Sequence, residues 1–255
     1  MEIEKILERI NLDSFKTYEV SLQTLQLLQK QYLLNVPYEN LDFILNKEFS
    51  SDLTKVYEKI VNNNRGGICY ESHTLFLYLL KTLGFNAHLI FAKVEDLTYI
   101  GKDYPHLVIL VNLNGIDYLV DVANGQNVRE PMNIDDEDFI SKAQNNEYKI
   151  KANKHEYTLL VKYKQKQWSA RYYFTKEEKT PSDFVDIFRS DKTNKSDKSQ
   201  NKVPLLVTLA KEDGRITMID DTMIVKEGDN KRLWNISKEN RSDVLKEYFN
   251  IIIKI

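Results

Sequence analysis

Residues 106–123 read HLVILVNLNGIDYLVDVA, and the Asn114-Gly115 pair inside this stretch decides how it folds. An Asn-Gly dipeptide between apolar runs is a leading short-range signal for a two-residue type I′ hairpin, because both turn residues accept positive φ. In that turn Leu113 faces Ile116, Val108 lies opposite Asp121, and His106 lies opposite Ala123. His106 and Asp121 then share one face as diagonal neighbours, with backbones roughly 7–8 Å apart, so their side chains can meet. The opposite face carries Leu107, Ile109, Val111 and Leu113 with Ile116, Tyr118, Val120 and Val122, and reads as core. Around the histidine the neighbours are Val108, Leu110 and Leu119, and a carboxylate among them requires a partner. Imidazole is the candidate. A structural His–Asp pair fits the same pattern, and a one-residue bulge would break the register.

Upstream of the hairpin the first 85 residues read as helical. Ile3, Ile6, Leu7 and Ile10 fall at helical spacing. Ser21 is placed to cap a second helix through about Leu34, which must stop before Pro37. A third helix is expected near Leu53 to Val61, and a fourth from Cys69, with Leu75, Phe76, Leu79, Leu80 and Leu83 inside and Gly84 as its stop. Downstream the period changes. Segments 86–94, 106–113, 116–122, 147–153, 155–163 and 168–175 are rich in β-branched and aromatic residues and read as strands. Residues 189–202 are almost devoid of apolar side chains and read as a polar surface linker. Beyond them Leu205 to Leu209 and Arg215 to Ile219 flank Asp213-Gly214, a hairpin signal, and a capped helix is expected from Ser242 to about Ile253. The order is α+β, divided as 1–85 helical, 86–188 β-rich, 189–202 linker and 203–255 a small mixed unit.

The chain holds one cysteine among 255 residues, so an internal disulfide is excluded and a reducing, cytoplasmic setting is expected. Cys69 follows Arg65-Gly66-Gly67-Ile68 and opens the fourth helix. A thiolate at a helix start is favoured by the dipole, the glycines would let a ligand approach, and Arg65 adds positive charge. A buried structural cysteine is the competing reading. With His106 to take its proton and Asp121 to orient the imidazole, Cys69 would complete a nucleophilic triad.

Composition bounds the alternatives. With 36 basic and 38 acidic residues the formal charge is −2, giving no general electrostatic reason to expect nucleic acid or an anionic membrane as partner. Charges interrupt the first ten residues, so they do not read as a signal peptide, and no run of about 18 apolar residues predicts a transmembrane helix.

Three motifs together resemble the arylamine N-acetyltransferases. Arg65-Gly66-Gly67-Ile68-Cys69-Tyr70-Glu71 looks like that family's Arg-Gly-Gly-x-Cys signature, and Val36-Pro37-Tyr38-Glu39-Asn40-Leu41 resembles its Val-Pro-Phe-Glu-Asn-Leu segment. His106, and Tyr118-Leu119-Val120-Asp121-Val122, match the positions of its histidine and aspartate. The resemblance implies an N-terminal helical bundle, a central β-barrel and a C-terminal α/β lid on a cysteine-protease-like core. It implies ping-pong transfer of acetyl from acetyl-CoA to an arylamine, arylhydroxylamine or arylhydrazine, through a thioester on Cys69 with His106 and Asp121 completing the triad. No metal is implied. Glu39 and Arg65 would form an ion pair under the cysteine loop, and Asn124, Gly125, Ile68 and Tyr38 are the expected substrate-binding positions.

The chain departs from the family pattern at three places. Asp121-Val122-Ala123-Asn124-Gly125 stands where the family has Asp-Val-Gly-Phe-Gly, so Asn124 replaces an aromatic residue and a more polar acceptor becomes possible. His73 replaces the usual asparagine one helical turn past Cys69, where it could pack or compete as a proton partner. The 189–202 stretch is an unusual connection before the lid. Rival readings are a zinc site of Cys69, His73, His106 and Asp121, a cysteine hydrolase of related fold, and a ligand-binding homologue of little activity.

Overall fold

The computed structural model describes residues 1–47, 50, 52–95, 105–123, 128–143, 146–164, 166–180, 183 and 203–255. Helix α1 (Ile3–Arg9) buries Ile6 and Leu7. Helix α2 (Leu22–Asn35) begins where Ser21 accepts the Thr24 amide. Pro37 ends it, and the freed chain forms the short strand β1 (Tyr38–Glu39) and helix α3 (Leu41–Ile44). Asp52 caps α4 (Leu53–Tyr57), which loosens into a π-helical turn, Glu58–Asn62. Helix α5 (Cys69–Thr82) follows, and Gly84 at φ +93 lies just past its end.

Eight strands form one curled sheet. They are β2 (Asn86–Val94), β3 (His106–Leu113), β4 (Ile116–Val120), β5 (Met132–Asn133), β6 (Ser141–Ala143), β7 (Asn146–Asn153), β8 (Glu156–Tyr163) and β9 (Ser169–Phe174). Their order is β5-β4-β3-β2-β9-β8-β7-β6. The two edge strands β5 and β6 are joined only by residues 134–140, and the Ser141 hydroxyl donates to Glu130 across the gap at 2.7 Å, so the sheet is nearly a closed barrel. The hairpin register is the one that the Asn-Gly turn dictates: Leu113 pairs with Ile116 and Ile109 with Val120. Asn114 and Gly115 take φ of 53 and 86, as a type I′ turn requires.

Both faces of β3 are buried. Leu107, Ile109 and Val111 pack against α2 and α5 in one core, while Val108 and Leu110 point into the barrel core with Tyr148, Leu159 and Tyr172. A strand covered on both sides is apolar throughout, so a polar residue on it stands out. His106 opens this strand.

The C-terminal segment adds a second sheet, ordered β1-β10-β11-β12-β13, with β10 (Leu206–Lys211), β11 (Gly214–Ile219), β12 (Thr222–Glu227) and β13 (Asn230–Asn235). β10 and β11 are the hairpin expected around Asp213-Gly214. The reading of the sequence did not include β12 and β13, because β13 is an exposed edge with few apolar residues and shows no alternation. Helix α6 (Arg241–Phe249) is shorter than expected and has no side-chain cap. Asn250 turns left-handed at φ 55, and the β-branched run after it leaves the helix so that Ile251 can bury fully. The segment 189–202 lies outside the described residues.

Candidate active site

The loop before α5 is held by backbone contacts with the Pro37–Glu39 segment. The Gly67 amide donates to the Pro37 carbonyl and the Glu39 amide donates to the Gly67 carbonyl, each at 3.2 Å. A Cβ on Gly66 would stand 2.0 Å from the Pro37 oxygen, and one on Gly67 would stand 2.9 Å from Glu71 Cβ. The space that the sequence reading reserved for a ligand is therefore filled by the chain itself. Arg9 gathers three carbonyls around the same place, donating to Ile60, Asn35 and Arg65.

Beneath the loop lies a buried ion network. Arg65 reaches Glu39 at 2.7 Å and Asp42 at 2.9 Å, and Lys59 reaches Asp42 at 2.7 Å and Glu71 at 2.8 Å. Glu39 also accepts the Leu41 amide, and Glu71 accepts the Ile68 amide at the start of α5. The expected Glu39–Arg65 pair is thus present as part of a larger cluster. It also corrects one expectation: the Arg65 charge faces two carboxylates, so Arg65 is not a bare cation activating the thiol.

Cys69 begins α5 and is 6% exposed. His106 Nε2 stands 2.9 Å from Asp121 Oδ2, with both residues buried, so the hairpin joins this pair as its register implied. Burial disfavours charge on His106. The Asp121 carboxylate and its hydrogen bond, together with a hydrogen bond to Cys69, outweigh that and push the imidazole up to about 10. Burial would raise the Asp121 carboxyl, but His106 and then His73 hold it well below the usual carboxylate range. Cys69, His106 and Asp121 therefore meet at one point, where α5 abuts the mouth of the barrel.

Four more side chains surround this point without having been singled out as partners of Asp121, or with a different role assigned. The Tyr172 hydroxyl is 3.3 Å from Asp121 Oδ2, and its ring lies 5.6 Å from the His106 ring. The Gln29 amide on α2 donates to the Asp121 and Val128 carbonyls at 3.3 and 3.4 Å. Tyr70 donates to the Pro105 carbonyl at 2.6 Å, fixing the chain just before His106. His73, which could have been plain packing, has both ring nitrogens engaged: Nδ1 is 3.0 Å from the Cys69 carbonyl and Nε2 accepts the Val122 amide at 3.0 Å. These partners lie far away in sequence, and only the i, i+4 spacing of Cys69 and His73 was visible in it.

Of the expected substrate-binding positions, Ile68 is buried as the residue preceding α5, and half-buried Tyr38 packs against the first core while pairing with Thr208. Asn124 and Gly125 lie outside the described residues. Among the described residues no group of three or more His, Cys, Asp or Glu side chains is arranged so that it could hold a metal ion, and no described helix is long and apolar enough to cross a membrane.

Comparison with known proteins gives a consistent family. A family model described as N-acetyltransferase matches residues 21–255. The chain is 36% identical over 129 residues to the chicken arylamine N-acetyltransferase, pineal gland isozyme, covering 49% of this chain and 43% of that protein. It is 28% identical over 173 residues to the Escherichia coli arylamine N-acetyltransferase, covering 65% and 59%. The matches thus span about half the length of these curated relatives. Proansamycin X synthase of Amycolatopsis mediterranei is 28% identical over 191 residues, covering 73% of this chain and 72% of that one. Among solved structures, the Salmonella typhimurium arylamine N-acetyltransferase superposes with a TM-score of 0.85 at 19% identity, covering 99% of this chain and 92% of that one. A Bacillus cereus arylamine N-acetyltransferase with a Cys-His-Glu catalytic triad superposes with a TM-score of 0.82 at 20% identity, covering 99% and 100%. At such identities the superpositions show the fold alone, and the family model carries the assignment. The chain belongs to the arylamine N-acetyltransferase family.

Proposed function

We propose that this chain is an acetyl-CoA-dependent N-acetyltransferase working by a ping-pong mechanism, with Cys69 as nucleophile, His106 as proton carrier and Asp121 as the residue that orients and charges His106. The observation that supports it most is the buried 2.9 Å contact of His106 with Asp121 combined with the hydrogen bond from His106 to the Cys69 sulfur. With Nε2 engaged by Asp121, the other ring nitrogen is left for the sulfur. An imidazole raised to about 10 stays protonated at neutral pH and places a cation and proton donor beside the sulfur.

The thiolate attacks the acetyl carbonyl of the thioester and forms a tetrahedral adduct. Collapse breaks the bond to the CoA sulfur, which takes the His106 proton and departs as the free thiol. The acetyl group then sits on Cys69 as a new thioester, and His106 is neutral. An amine attacks this carbonyl, His106 accepts the amine proton, and collapse releases the amide and restores the Cys69 thiolate. One hard transfer becomes two easier ones. In this reading the segment 203–255 acts as a lid and 189–202 as the polar linker before it. Tyr38, Ile68, Asn124 and Gly125 are the positions expected to contact the acceptor. Arylamines, arylhydroxylamines and arylhydrazines are the acceptor class, and Asn124 in place of an aromatic residue shifts preference toward polar amines. That one relative is named a synthase rather than an arylamine transferase fits an acceptor set by such local residues.

The test is intact-mass analysis after incubation with acetyl-CoA. The wild-type protein should gain one acetyl group on Cys69, Cys69→Ala should gain none, and replacing His106 should slow acetylation by roughly 10²–10⁴. A protein that remains unmodified while its acetyl-CoA is intact would remove the transferase reading. Consumption of acetyl-CoA that no aniline, hydrazine or polar amine accelerates would make it a hydrolase.

A further inference from the structure

His73 is fully buried and is not used by the transfer chemistry above. Its geometry fixes its protonation state. A backbone amide can only donate, so the Nε2 that meets the Val122 N–H at 3.0 Å carries a lone pair. The ring proton is then on Nδ1, which donates to the Cys69 carbonyl at 3.0 Å, and the ring is neutral. That carbonyl is four residues back along α5, whereas Val122 directly follows Asp121. One ring thus spans from the nucleophile's own backbone to the segment that bears the carboxylate.

Two imidazoles flank Asp121. His106 Nε2 lies 2.9 Å from Oδ2, and His73 Nε2 lies 3.4 Å from Oδ1. The His73 and His106 ring centroids are 5.7 Å apart, edge to face. If His73 carried a second proton, its Nε2–H would lose the Val122 amide and turn to Asp121, drawing the negative charge away from His106. Burial foremost disfavours charge on His73, and His106 adds to that, against the pull of Asp121 and the Cys69 carbonyl; the balance lowers its affinity for a proton. Oδ1 meanwhile accepts the Ala123 amide at 3.1 Å, and Tyr172 faces Oδ2 from β9. The titratable groups facing this point are therefore Cys69 from α5, His106 from β3, Asp121 after β4 and Tyr172 from β9.

We infer that His73 is a positioning residue of the Cys69–His106–Asp121 site, a neutral ring that ties the Val122 amide to the Cys69 carbonyl and so reserves the Asp121 carboxylate for His106. This rests on the transferase reading for its purpose, but its physical content is a property of the thiol that can be measured without acetyl-CoA.

The test compares His73→Gln with His73→Leu in the full-length chain. Glutamine can set an amide oxygen near the Nε2 position and keep the Val122 amide satisfied. Leucine fills a similar space but offers neither a donor to the Cys69 carbonyl nor an acceptor to the Val122 amide. The pH dependence of Cys69 alkylation by iodoacetamide reports the thiolate–imidazolium window. His73→Leu should narrow it, with the upper limb moving down, and should slow alkylation at pH 7 by roughly tenfold to a hundredfold. His73→Gln should keep both limbs and stay within about threefold of wild type. Variants that are folded by circular dichroism yet both retain the wild-type limbs would overturn the inference, as would equal loss in both with limbs unmoved. Should the Leu variant fail to fold, the Gln variant still decides, because displaced limbs there contradict the proposal. An independent readout on the wild-type protein is the ¹⁵N spectrum of the ring: His73 should be the Nδ1–H tautomer across neutral pH, and an Nε2–H signal would overturn it. Wild-type protein that shows these limbs but is not acetylated by acetyl-CoA would defeat the transferase reading and leave the role of His73 standing.

Discussion

Two buried polar clusters lie on either side of the start of α5, and they are built from different cations. Beneath the loop, Arg65 and Lys59 face Glu39, Asp42 and Glu71. At the barrel mouth, His106 and His73 face Asp121. In the first cluster the cations stay charged at every physiological pH. Burial opposes charge on Lys59 and Arg65, but the carboxylates around them hold both above their ordinary values. Such a cluster can brace a loop and cannot move a proton. In the second the cation is an imidazole, which can give its proton away, and the carboxylate decides how firmly it is held. Similar distances thus yield a brace on one side and a proton relay on the other, and the difference lies in which partner can be discharged.

Asp121→Asn should produce the largest effect. The side-chain shape survives, but the charge that raises His106 is gone, and the acetylation rate should fall by about 10³–10⁴. Thermal stability should change far less than the rate. If instead the melting transition collapses while the folded fraction still reacts at wild-type speed, Asp121 belongs with the brace.

Arg65→Met attacks the other cluster. Glu39, fully buried, would keep only Lys59 at 3.9 Å as an opposite charge among the described residues. Leaving one buried charge unmatched should lower the unfolding free energy by about 3–5 kcal/mol in denaturant titration. The alkylation limbs of Cys69 in the protein that remains folded should not move. Moved limbs with little loss of stability would mean that Arg65 acts on the thiol directly, as the sequence alone had suggested.

The two clusters also differ in how far they could be read beforehand. The His106–Asp121 pair was legible because a local device, the Asn114-Gly115 turn, fixes the register over which both residues are counted. The start of α5 was legible for the same reason, since its signals are adjacent in sequence. The brace depends on contacts from residue 39 to residue 71, and the idea of a Glu39–Arg65 pair came from family resemblance rather than from any pattern in the chain. Asp42 and Lys59 carry no mark that distinguishes them from surface charges. Gln29 is farther still, 92 residues from the carbonyl it holds. Strand β1 was missed because two residues after a proline show no periodicity, although their pairing with Thr208 and Val207 attaches the second sheet to the loop.

The smallest expected effect separates the turn from the contacts that hold the relay. Asn114 is left-handed, with φ 53, and Asn112 buttresses the turn by accepting the Gly115 amide at 3.2 Å and donating to Asp117 at 2.6 Å. Alanine at position 114 tolerates that φ less well, so Asn114→Ala should lower the unfolding free energy by about 1 kcal/mol. If the turn sets only register, the relay should not notice: Asp121 is held by His106, Tyr172 and Gln29, and the adjacent Val122 by His73, all at the far end of the hairpin. The alkylation limbs of Cys69 should then match the wild type within measurement. A shifted upper limb would mean that small distortions travel the length of β3 and β4 to the imidazole, and that the relay is tuned by the strand pair rather than by the helix contacts around it.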